Sequence, residues 1–288
     1  QYDFGVDANL FGSRLNIGFD YYYSKTTDML LQVPVPVLTG FTDSQMNIGS
    51  VSNKGFELNI SSINIRNKNF MWTTDFNISA NRNKVLKLGN NNAPIEVNTN
   101  SAISRTEVGQ PVGNYYGYKV TGVYSTAEIN DPKVAKYAGA EPGDPKVWDK
   151  TGDGKIDASD RTILGNYQPD FTWGLTNNIS WKGLEFSIML TGTHGNEIMN
   201  QNARFLGFYN GARNLYASRS NFWVSDDQPG DGMTPKPRTT PNTIESSSSS
   251  MWVEDGSFVR IKNIRLGYNF PTSITRPLGM TSLKLYVN

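Results

Sequence analysis

The sequence alternates, and that restricts the fold more than any other feature. Leu15, Ile17, Phe19, Tyr21 and Tyr23 fall on one face of an extended segment, with Asn16, Gly18 and Asp20 on the other. Phe56, Leu58 and Ile60 oppose Glu57, Asn59 and Ser61 in the same way. Trp72, Thr74, Phe76, Ile78 and Ala80 oppose Thr73, Asp75, Asn77, Ser79 and Asn81. Phe171, Trp173, Leu175, Ile179 and Trp181 oppose Thr172, Gly174, Thr176, Asn178 and Ser180, and Leu184, Phe186, Ile188 and Leu190 oppose Glu185, Ser187 and Thr191. A period of two belongs to a β-strand whose two sides meet different surroundings. Val259 and Ile261 are in phase, the pattern slips at Asn263, and it resumes with Ile264, Leu266, Tyr268 and Phe270, as a β-bulge would make it. With Tyr2–Leu10 first and Leu283–Asn288 last, the pattern predicts eight strands.

The connections are unequal. Short turns are expected at Phe11–Arg14, Asn64–Asn69 and Lys182–Gly183, and one of moderate length at Pro271–Thr281. Long links are expected at Lys25–Gly49, Lys84–Pro169 and Gly195–Ser250. Short and long alternate, so strands running up and down place every short turn at one end and every long link at the other. This is the layout of an outer-membrane β-barrel, with strands near the ~10 residues a tilted crossing needs. Phe70, Trp72 and Trp181 stand beside short turns, and Tyr21, Tyr22, Tyr23 and Trp173 at the opposite ends, as two interfacial aromatic girdles would. A soluble β-sandwich also alternates, and the loop asymmetry is what favours the barrel. The first strand runs toward the short-turn end and the last runs away from it. A barrel with both termini on the short-turn side therefore needs further strands at each end, and the expectation is eight strands of a larger barrel.

Composition removes other classes. Lys plus Arg is 27 and Asp plus Glu 26, so no basic excess marks a nucleic-acid binder. There is no Cys and a single His, which excludes disulfide scaffolds, thiolate metal sites, a Cys nucleophile and multi-His metal centres. No apolar run reaches the ~18–20 residues of a membrane helix. The chain opens on Gln1 without a signal peptide, which suggests an internal piece of a longer protein. Aromatics at 12% and 27 glycines, beside few aliphatics, suit strands and long loops better than helical packing.

One motif carries chemistry. The acidic loop 149–160 resembles an EF-hand loop in its dockerin-like variant. Asp149, Thr151, Asp153 and Asp157 occupy ligand positions one, three, five and nine; Lys155 offers its carbonyl at seven and Asp160 its carboxylate at twelve. Gly154 permits the sharp turn, and Ile156 is the apolar anchor. Ca²⁺ takes six to eight hard oxygens at ~2.3–2.6 Å, which a tight turn supplies by aiming alternate side chains inward. Asp160 where Glu is usual shortens the reach. The expectation is a structural calcium ion, against a solvated Asx-rich turn without metal.

Other constellations are weaker. His194 precedes Gly195 at a strand end and reads as structural. Lys150-Thr151-Gly152 matches the KTG of penicillin-binding enzymes but lacks the accompanying S-x-x-K and S-D-N. The sequons at Asn59, Asn77 and Asn178 fall in mid-strand and read as chance matches. Asn90–Asn92 and Ser246–Ser250 read as loop. Glu254 and Asp255 offer a nominal carboxylate pair, which lumen- or loop-lining acids explain more simply. No enzymatic activity is expected.

Three blocks resemble a known family. They are Gly143–Asp149 leading through the acidic loop and Arg161–Gly165 to Pro169–Gly174, then Trp181–Ile188 with Thr191–Ile198 and Asn200, then Val253–Pro271. In that order they are similar to the SusC/RagA-type TonB-dependent transporters of Bacteroidetes. Ser52–Glu57 is compatible but less diagnostic. The resemblance implies the C-terminal part, residues 1–288, of a barrel of about 22 strands with a plugged lumen. It further implies uptake of oligosaccharides or peptides across the outer membrane, a SusD-like surface lipoprotein over extracellular loops, and energy from TonB through a part that this chain lacks. No plug, TonB box or substrate-binding residue is recognised here. The competing expectation is a secreted, calcium-stabilised β-sandwich that binds carbohydrate.

Overall fold

The structure, a computed structural model, describes residues 1–34, 43–89, 91–207, 216–240 and 242–288. Asn90, expected in a loop, lies outside them, as do parts of the first and third long links. The strands are β1 (Tyr2–Leu10), β2 (Leu15–Pro34), β3 (Asp43–Arg66), β4 (Phe70–Lys87), β5 (Ile95–Thr99), β6 (Ala102–Thr106), β7 (Asn114–Gly117), β8 (Val120–Val123), β9 (Pro145–Val147), β10 (Thr162–Gly165), β11 (Phe171–Trp181), β12 (Leu184–His194), β13 (Glu197–Met199), β14 (Val253–Asp255), β15 (Phe258–Asn269) and β16 (Lys284–Val287). Eight of them form one sheet in the order β1-β2-β3-β4-β11-β12-β15-β16. Every neighbouring pair in it is antiparallel. These are the eight strands that alternation predicts.

Register follows from turns and side-chain pattern. Trp181 pairs with Leu184, which leaves a two-residue turn. Lys182 and Gly183 both take positive φ, 46° and 92°, the conformation whose twist matches the flanking strands. On β15, Asn263 pairs with Met189 and Ile261 with Leu190. Lys262 is the extra residue, so the phase slip is a bulge, as expected.

The Lys25–Gly49 link differs from expectation. It is mostly strand: β2 and β3 continue past Thr26 and Val51 to the pair Pro34 and Asp43, with irregular register around Met29. Asp28 there has φ 57°. An extra left-handed residue breaks the two-residue period, so the polar run Lys25–Asp28 and the consecutive Met29, Leu30 and Leu31 conceal the strand from pattern reading.

Among the described residues, no second layer covers the sheet's apolar side. Val259 is 70% exposed, Ile261 58% and Leu285 59%. A sandwich would bury these residues against another sheet, whereas a membrane-spanning wall turns them to lipid. Phe171 and Trp181 bound an apolar band. Ten residues at ~3.3 Å each, at the ~40° tilt usual for such barrels, cover about 25 Å of membrane. Tyr22 does not join the girdle. It alternates to the polar face, where its hydroxyl donates to Asn81 Oδ1 at 3.1 Å.

The long links after β4 and β12 fold together beyond one end of the sheet. They contain a four-stranded sheet, β10-β7-β6-β5, and the pairs β8–β9 and β13–β14. The Tyr118 N–H donates to the Ser248 carbonyl and the Ser250 N–H to the Tyr118 carbonyl, both at 2.9 Å, which joins the two links. A short helix, α1 (Thr126–Asn130), starts in a capping box between Ser125 and Glu128. Tyr118, Val120, Tyr124, Tyr137, Val147, Ile156 and Ile244 make the core of this module.

Candidate functional site

Two regions carry polar chemistry, the loop module and the polar wall of the sheet. The acidic loop is docked to the module by its apolar anchor. Ile156 is buried in the core, and its N–H donates to the Lys136 carbonyl at 3.1 Å. Lys155 lies in a short bridge with Lys136. Gly154 has φ 79°, the left-handed turn expected at that position.

The side chains around this turn are partly gathered. Thr151 Oγ1 lies 3.3 Å from Asp149 Oδ1 and 3.1 Å from Asp160 Oδ1, so positions one, three and twelve meet. Asp153 and Asp157 instead accept the local N–H groups of Lys155 and Ser159. Asp149 also accepts from the N–H groups of Gly152 and Gly154, at 2.6 and 3.0 Å. Asp160 is almost fully buried. Burial opposes its ionisation, but N–H groups of Asp157, Thr151 and Lys150 and the Thr151 hydroxyl outweigh burial and hold its carboxyl below the usual carboxylate range. Among the described residues no three His, Asp or Glu side chains are placed to hold a metal ion together. The donor chemistry suits calcium. The geometry is that of an Asx-capped loop, with three of the six proposed ligand residues in mutual contact.

An ionic cluster around the buried Asp144 joins the two long links, and sequence reading does not find it. Asp144 is fully buried and accepts both Nε and Nη2 of Arg238 at 2.8 Å. Arg238 and Lys236 also reach Glu141, at 2.9 and 2.8 Å. The partners are more than ninety residues apart, which no local pattern reports. Gly143, just before, has φ 82°, and a Cβ there would stand 2.3 Å from the Trp223 ring. Glu245 is buried beside this cluster. Burial, against one N–H bond from Asn242 and reinforced by Asp144, pushes its carboxyl up to about 7.

The sheet's polar wall is lined by small and amide side chains, which leaves its backbone close to whatever fills the lumen. Ser187 donates to Asn178 at 2.7 Å and Ser61 to Asp75 at 2.7 Å. Charge is divided across it. Asp3, Asp7, Asp20, Glu57 and Asp75 alternate onto this face along β1–β4. Arg260, Arg265 and Lys284 occupy it on β15 and β16, where Glu185 pairs with Lys284. The wall suits polar, hydrogen-bonding solutes. His194 stacks on Phe171 with ring centres 5.1 Å apart. Glu254 accepts from Asn200, and Asp255 from the Ser257 N–H, as adjacent strand residues engaged with different partners.

These features define a stretch of outer-membrane barrel wall carrying a folded loop module. Comparison with known proteins gives the family. The TonB-dependent receptor P3 of Formosa agariphila is 36% identical over 293 residues, covering 100% of this chain and 28% of that receptor. TonB-dependent receptor P26 of the same organism is 33% identical over 98% of the chain. TonB-dependent receptor SusC of Bacteroides thetaiotaomicron is 29% identical over 92% of the chain and 25% of its own length. The solved RagAB peptide transporter superposes with a TM-score of 0.78 at 25% identity, over 99% of this chain and 30% of its own. No family model matches. The chain belongs to the SusC/RagA family of TonB-dependent outer-membrane receptors and is part of their barrel. It spans under a third of the length of the relatives it matches.

Proposed function

We propose that this chain is the C-terminal barrel portion of an outer-membrane importer that takes up oligosaccharides or peptides. Its short turns face the periplasm. Its long links face outward, under a SusD-like lipoprotein, and TonB couples energy through segments beyond this chain. The observation that carries this reading is the two-sided wall: apolar residues exposed on one face, amides, hydroxyls and divided charge on the other. The likeness to the RagAB peptide transporter supports it, and the exposed apolar face speaks against the secreted sandwich. The test is uptake of labelled oligosaccharides and peptides by cells with and without the gene. Equal uptake of both classes would sink it.

For the acidic loop we propose a structural calcium ion on Asp149, Thr151, Asp153, Lys155, Asp157 and Asp160, stiffening the module. One observation favours it. The single Thr151 hydroxyl proton stands between two carboxylate oxygens, and a cation there would relieve their repulsion. Binding requires Asp153 and Asp157 to swing inward. EDTA should speed proteolysis of the loop, and Asp149→Ala should remove that sensitivity. Identical digestion with and without EDTA would reject the ion.

A further inference from the structure

The short-turn end of the sheet carries an unusual charge distribution. The four turns comprise residues 11–14, 67–69, 182–183 and 270–283, and none contains Asp or Glu. Each bears or adjoins a cation: Arg14, Arg66 with Lys68, Lys182 and Arg276. All five side chains are exposed, and among the described residues none makes an ion pair. Glu185 and Arg66 alternate onto the lumen face, and Glu185 is taken by Lys284. Arg14 is fixed by donating to the Ile63 and Asn64 carbonyls, which holds its charge at the rim without neutralising it.

Large apolar side chains are also exposed at this rim. Trp181 is 53% exposed, Ile274 50% and Leu278 61%. Lys182 Nζ stands 5.6 Å from the Trp181 ring centre. An aromatic at the hydrocarbon edge with a cation just beyond it is the arrangement that meets lipid headgroups.

We propose that this rim binds anionic phospholipid headgroups of the leaflet on the short-turn side. The occupant follows from two observations. The lipid-facing apolar band runs without a break into the rim, which sets the rim at headgroup depth. Four uncompensated cations there, Arg14, Lys68, Lys182 and Arg276, complement headgroup phosphate at that depth. The proposal rests on the barrel reading above.

The test uses the full-length receptor containing this chain, placed in phosphatidylcholine bilayers doped with phosphatidylglycerol. The lipids that co-purify with it are then weighed by mass spectrometry. The wild-type protein should enrich phosphatidylglycerol. Lys68→Gln should lower the enrichment, by at most roughly fivefold. Adding Arg14→Gln, Lys182→Gln and Arg276→Gln should abolish it, and high salt should mimic the loss. Heat-modifiable migration on gels reports whether each protein is a folded barrel. If the wild type never migrates as one, the barrel reading fails and the lipid site with it. If it does and the lipid ratio equals that of the bulk, the lipid site alone fails. The single variant keeps the test usable if the quadruple one does not fold. If the lipid ratio is flat but the variants lose uptake in cells, the rim meets a periplasmic protein and the lipid assignment is overturned.

Discussion

The membrane sheet and the loop module use one chemistry of strands in opposite ways. The sheet exposes its large apolar side chains and lines its other face with amides and hydroxyls. The module buries Tyr124, Tyr137, Ile156 and Ile244 around a core, with ion pairs at its edge. Sheet stability comes from closed ladders of backbone hydrogen bonds in a solvent that offers none. Module stability comes from removing apolar area from water. The same substitution should therefore have different consequences in the two regions.

The largest expected effect lies in the module. Arg238→Met leaves the fully buried Asp144 without its cation. Breaking a buried pair this way costs ~3–5 kcal/mol. Limited proteolysis of the full receptor should show the long links opening while heat-modifiable migration of the barrel persists. Loss of both together would mean the two regions fold as one unit. Next is Leu175→Arg on the lipid face of β11, where a cation near the bilayer midplane costs about 2–4 kcal/mol. Thr176→Arg, one residue on, should leave assembly intact because its side chain faces the lumen. Equal damage from both would refute the assignment of faces. Assembly yield in the outer membrane measures this.

A pH effect should follow, confined to the module. Glu245 titrates at about 7 in the folded module against 4.5 unfolded, so the folded state holds the proton more tightly. Module stability should fall as pH rises from roughly 4.5 to 7 and level off above, by about 3 kcal/mol. Asp160 has the opposite sign, and its stabilisation is lost only in stronger acid. Protection factors of the long-link amides, which divide out the base catalysis of exchange itself, should be larger at pH 5 than at pH 8. Glu245→Gln should flatten that difference, and an unchanged difference would remove Glu245 from the account.

The two regions also differ in how well the sequence reports them. A strand between lipid and water repeats its contrast every second residue, so all eight sheet strands and the Lys262 bulge are readable. The extension of β2 and β3 is not, because the irregularity near Asp28 resets the period. The acidic loop is readable because its spacing is local, and the structure gathers Asp149, Thr151 and Asp160. The module core and the Asp144–Arg238 pair are hidden. Their residues come from distant turns with no common period, and only tertiary folding brings them together.

The smallest expected effect tests a place where the lipid face breaks its own rule. Asn177 shares a face with Leu175 and Ile179, in register with Thr74. Thr74 and the Trp72 indole donate to its Oδ1, at 2.7 and 2.9 Å. Asn64 donates to Thr74 at 2.7 Å, and Ser62 to Asn64 at 2.9 Å. The polar groups thus satisfy one another in a chain across three strands, which is what makes them tolerable beside lipid. Asn177→Leu removes the terminal acceptor from two donors but also removes an amide from hydrocarbon. Hydrogen bonds of this kind average about 0.6 kcal/mol in membranes, so the two terms should nearly cancel. Thermal unfolding of the full receptor in detergent should move by no more than a degree or two. Thr74→Val with Asn177→Leu, which removes donor and acceptor together, should be no worse. A large loss in the single variant that the double one repairs would mean the Thr74 donor cannot go unpaired, and that this chain of side chains holds β4 and β11 in register.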